Sequence, residues 1–105
     1  MVDDAILATI VQRTLAVFPD ARILLFGSRA NGTARADSDY DIAIVAARAR
    51  PGRGPAAELR LSLYGLGVSL DLVFATPEEW VAMSAVGNSL AADAQATGRV
   101  LHEAA

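Results

Sequence analysis

The chain has 105 residues, enough for a single domain (residues 1–105) with a modest core. Its net charge of -3 argues against direct nucleic-acid binding, and the absence of cysteine excludes disulfides and thiolate metal sites and suits a reducing cytoplasm. No apolar stretch is long enough to span a membrane, and the acidic start Met1-Val2-Asp3-Asp4 lacks the basic segment of a signal peptide.

In chain order, Asp3 or Asp4 can cap a helix running to about Val17, with Leu7, Ile10, Val11, Thr14, Leu15 and Phe18 as its buried stripe. Pro19-Asp20 ends it, and Ala21–Phe26 reads as a short central strand. Ser28–Asn31 can make one helical turn closed by Gly32. Asp41–Ala46 is a second strand, with Tyr40, Ile42 and Ile44 on one face and Asp39, Asp41, Ala43 and Val45 on the other. A Pro/Gly/Arg loop, residues 48–55, follows. Residues 56–67 fit either period: Leu59-Arg60-Leu61-Ser62-Leu63-Tyr64 alternates like a strand, while Leu59, Leu63 and Leu66, with Pro55 before and Gly65 or Gly67 after, fit a helix, which is the favoured reading. Val68–Phe74 is the third strand, its apolar face interrupted on the reverse by Asp71. Thr76-Pro77-Glu78-Glu79 carries a capping box and a first-turn proline. Asn88 or Ser89 starts a last helix that stops near Gly98, and Val100-Leu101 can form a final short strand.

Three features carry chemistry. Gly27 lets backbone approach a phosphate closely, while the Ser28 hydroxyl and the amides of the following turn can donate to phosphate oxygens. Arg29 adds a planar cationic fork. Asp39 and Asp41, at positions i and i+2 of an extended segment, project to one side, where like charges repel unless a cation lies between them. Mg²⁺ takes such hard oxygen ligands and shares its shell with substrate phosphates. Asp71 interrupts an apolar strand; if that strand lies beside the second, all three carboxylates can converge on two metal ions, and Asp71 can accept the proton of an attacking hydroxyl. Asp37 reads as a solvated loop residue, His102 as a surface residue, and Tyr64, Trp80 and Met83 as packing residues.

The order strand, Gly27-Ser28, loop, Asp39-x-Asp41, strand and later Asp71 resembles the nucleotidyltransferase superfamily that includes DNA polymerase beta, and most of all its minimal nucleotidyltransferase (MNT) group. The resemblance implies an α+β nucleotidyltransferase fold, a small mixed β-sheet with helices packed mainly on one face. It implies Mg²⁺, two ions, and ATP as the donor of AMP. By carry-over, Gly27, Ser28 and Arg29 bind the nucleotide, and Asp39, Asp41 and Asp71 are the catalytic and metal-binding residues. Members of the group act as antitoxins beside HEPN-domain toxins and attach AMP to a toxin tyrosine. The expectation is therefore a cytoplasmic adenylyltransferase acting on a HEPN partner in a hetero-oligomer, with a homodimer as a further way to complete the acceptor pocket. The alternative is an antitoxin that blocks the partner by binding alone. Asn31 departs from the group, standing where Arg or Lys is frequent.

Overall fold

The computed structural model describes residues 5–35, 38–50, 54–87 and 89–103. Helix α1 spans Ala5–Val17 and buries Leu7, Ile10 and Thr14, with Val11 and Leu15 packed from the flank and Phe18 fully inside. Its expected caps, Asp3 and Asp4, lie outside the described residues, as do Asp37, Arg53 and Asn88. Strand β1 (Arg22–Phe26) leads into the single turn α2 (Ser28–Asn31), which Gly32 closes in the left-handed conformation. Strand β2 is Tyr40–Val45.

The two-way reading of residues 56–67 resolves as helix: α3 covers Pro55–Leu63 and tightens into a 3-10 turn at Tyr64–Leu66. The exposures show why. A strand would place Leu59, Leu61 and Leu63 on one face. Instead Ala56, Leu59 and Leu63 are buried at helical spacing, and Leu61 is 78% exposed. Strand β3 (Leu70–Ala75) is followed by α4 (Pro77–Ser84), α5 (Leu90–Thr97) and β4 (Arg99–His102). The capping box before α4 is fully made: Thr76 Oγ1 accepts the Glu79 N–H at 3.2 Å, and Glu79 Oε1 accepts the Thr76 N–H at 2.8 Å. That bond from the Thr76 backbone holds the Glu79 carboxyl below the usual carboxylate range.

The four strands form one mixed sheet in the order β3-β2-β1-β4. β2 and β3 are parallel, joined through α3; β1 is antiparallel to both β2 and β4. The larger core lies on the Tyr40/Ile42/Ile44 face, under α1 and α3. A smaller cluster forms on the reverse face, where Trp80 of α4 and Ala91 and Ala94 of α5 cover Leu24, Ala43, Val45 and Ala75. The helices that carry most of the core thus share one face, and α4 and α5 add cover on the other. Gln95 ties this second layer to the sheet, its Oε1 accepting from Trp80 Nε1 at 2.8 Å and from Arg22 at 3.2 Å.

Candidate active site

The alternation of β2 puts Asp41 on the same side as Ala43 and Val45, the face covered farther along by α4 and α5. In the parallel register Asp41 is the partner of Asp71, and in the antiparallel register it is the partner of Phe26, the last residue of β1. Register partners project to one face, so the Asp71 carboxylate stands on the same side of the sheet as that of Asp41. A backbone bond from the Tyr40 N–H to the Ser69 carbonyl, 2.9 Å, joins the two strands where they start.

Gly27 closes the third side. Its φ is 74° and its ψ -156°, a conformation that only glycine adopts readily. A Cβ built there would collide with Asp41 Oδ2. The Gly-Ser turn therefore lies directly against the carboxylate. The chain then enters α2, whose Ala30 and Asn31 amides donate back to the Gly27 carbonyl at 3.0 and 3.2 Å.

The charges act on one another. Asp41 is half-buried, and its carboxyl is pushed above the ordinary aspartate value, first by burial, then by the negative charge of Asp71, then by that of Asp39. A divalent cation, or a proton, relieves that repulsion, and hard oxygen donors suit Mg²⁺. In donor type, Asp41 and Asp71, with Asp39 nearby, fit such an ion. Asp39 and Asp71 are both exposed, and β3 is an edge strand. Among the described residues no group of three or more His, Cys, Asp or Glu side chains is drawn together as a ready-made metal cage. The sheet brings together Gly27, Asp41 and Asp71; Asp39 contributes through its charge.

Other expectations fare differently. Arg29, expected at the phosphates, has its guanidinium on loop carbonyls: Nε and Nη2 reach the Ser38 oxygen at 3.1 and 2.8 Å, and Nη2 the Arg35 oxygen at 3.3 Å. The same group lies 3.9 Å from the centre of the Tyr40 ring. Asn31 accepts from the Thr33 hydroxyl at 2.6 Å and its N–H at 3.1 Å, so the residue that departs from the group's pattern shapes the turn. Trp80 is buried, as a packing residue should be, but Tyr64 is 88% exposed, because the 3-10 turn points it away from the core. His102 is half-buried rather than at the surface; pairing with β1 carries its Nδ1 to 3.3 Å from the Ala21 carbonyl oxygen.

The sequence profile of the nucleotidyltransferase domain matches residues 6–90, and the chain belongs to that family. Two solved structures share its fold. One, a toxin–antitoxin complex with AMP-PNP, superposes with a TM-score of 0.66 at 26% identity, covering 92% of this chain and 73% of the other. The second, a tri-AMPylated Shewanella oneidensis HEPN toxin in complex with MNT antitoxin, gives a TM-score of 0.58 at 24% identity, covering 93% of this chain and 70% of the other. No curated protein matches.

Proposed function

We propose that this nucleotidyltransferase domain transfers AMP from ATP to a hydroxyl, a tyrosine of a HEPN-type toxin, and so acts as the antitoxin of a two-gene pair. One observation carries the reading: Asp41 and Asp71 are register partners on one face, with Gly27 pressed against the Asp41 carboxylate. A triphosphate needs that combination, a turn of backbone for its oxygens beside acidic groups for the cations that accompany it. The similarity to a toxin–antitoxin complex holding an ATP analogue supports both a nucleotide and a protein partner. The HEPN identity of that partner follows from the motif resemblance.

In this reading the missing Cβ at Gly27 lets the Asp41 carboxylate sit against the turn, and the turn's backbone and the Ser28 hydroxyl hold the phosphate chain. Asp39, Asp41 and Asp71 would hold Mg²⁺, which supplies charge neutralisation at the triphosphate. Asp71 orients the acceptor hydroxyl and takes its proton as the oxygen bonds to the α-phosphorus; the bond to the β-phosphate oxygen breaks and pyrophosphate leaves. The surroundings of Asp71 suit the role, because the side chain is exposed on an edge strand, where a second protein can reach it.

The test is transfer of α-phosphate label from ATP to a co-purified HEPN partner in the presence of Mg²⁺. Wild type should label the partner. Asp41→Asn should reduce labelling by about 100-fold or more while remaining folded. If Asp41→Asn neutralises the toxin as well as wild type does, and neither labels it, the protein acts by binding alone and the transferase reading is wrong.

A further inference from the structure

We infer that Arg29 is a positioning residue: it clamps the loop that delivers Asp39 and Asp41, and does not bind the nucleotide phosphates. The inference rests on the nucleotidyltransferase reading for what the loop is positioned to do, but its geometry stands apart from that reading.

Tyr40 and Asp41 are neighbours on β2, so their side chains leave opposite faces of the sheet. Tyr40 belongs to the core under α1 and α3; Asp41 faces the other way. The Arg29 guanidinium stacks on the Tyr40 ring at 3.9 Å. It is thus committed to the Tyr40 side of the strand, away from the surface that Gly27, Asp41 and Asp71 share. Its donors converge on the loop backbone just before the acidic pair, at the carbonyls of Arg35 and Ser38. Arg35 and Ser38 are also tied to each other: the Ser38 N–H donates to the Arg35 carbonyl at 3.1 Å, and Ser38 Oγ accepts the Arg35 N–H at 2.8 Å. A guanidinium can bridge two carbonyls and lie flat on a ring at once; an ammonium is a point charge and cannot do both. The residue after the clamped Ser38 carbonyl is Asp39, so the clamp sets where the acidic pair begins.

The two roles predict different kinetics. A phosphate ligand lost from the ground state raises KM, and lysine restores part of it; a displaced metal-binding loop lowers kcat. Arg29→Lys and Arg29→Met should both lower kcat roughly 10- to 100-fold, with KM for ATP changing less than about twofold. Tyr40→Leu should reproduce the loss, and Tyr40→Phe, which keeps the ring, should restore activity. Independently of activity, hydrogen exchange at the Ser38 amide should speed up about 10-fold in Arg29→Met and in Tyr40→Leu, with β1 protection unchanged.

An Arg29→Met enzyme with raised KM and unchanged kcat overturns the inference, as does Arg29→Lys with wild-type kcat and wild-type Ser38 exchange. If Arg29→Met fails to fold, the Lys and Tyr40 variants decide. If the wild type transfers no nucleotide, the transferase reading falls while Ser38 exchange still judges the clamp.

Discussion

At the scale of single residues, the site places negative charges where they repel one another. Burial and the charges of Asp71 and Asp39 raise the proton affinity of Asp41. The native state therefore binds the Asp41 proton more tightly than the unfolded chain does. By linkage, stability falls as pH rises from the ordinary aspartate value through the raised native one, and the deficit persists at neutral pH. Asp41→Asn should accordingly raise the melting temperature of the metal-free protein near pH 7, and lose that advantage below the unfolded pKa. Thermal unfolding in chelator at several pH values measures it, and an equal or lower melting point for the variant at pH 7 contradicts it. Much of this site was legible in the sequence, because the i, i+2 spacing of Asp39 and Asp41 and the lone Asp71 in an apolar strand are local patterns. The position of Arg29 was not, since stacking on Tyr40 depends on how a loop folds back over a strand.

At the scale of elements, two threonines show how one residue type can act in opposite directions. Thr76 is satisfied on both sides of its capping box, so Thr76→Ala should cost about 1 kcal/mol. Thr14 is fully buried in α1, and its hydroxyl has no hydrogen-bond partner among the described residues. Thr14→Val keeps the shape and removes the stranded polar atom, and should add about 1 kcal/mol. Urea denaturation of the two variants checks both signs; a Thr14→Val protein less stable than wild type would show that the hydroxyl is bonded in solution. Capping signals are short-range, so α4 and α5 were legible at their starts. The segment after Pro55 carried two periods at once, and only the core that Leu59 and Leu63 reach decides between them. The exposure of Tyr64 follows from the 3-10 turn, which its local sequence did not signal.

At the scale of the molecule, one sheet serves two apolar clusters, and the strands that separate them are shared. Loss of either layer should strip the other. Fluorescence of Trp80, which sits in the smaller cluster, and far-ultraviolet circular dichroism, dominated by all the helices, should give coincident denaturation curves. Separate midpoints would mean that the α4–α5 layer comes off alone. The fold class was legible through the family resemblance that Gly27-Ser28, Asp39-x-Asp41 and Asp71 carry, but the cover on the second face was not, because alanines such as Ala91 and Ala94 give a weak amphipathic signal while still packing closely on β1 and β2. The acidic rank of Asp41 and Asp71 belongs to neither cluster. If the protein acts as proposed, chemistry and shape can part company in evolution: a couple of substitutions there would silence the catalyst and leave an intact shield, so a lineage of such proteins would have only a short mutational walk from modifying its target to merely covering it.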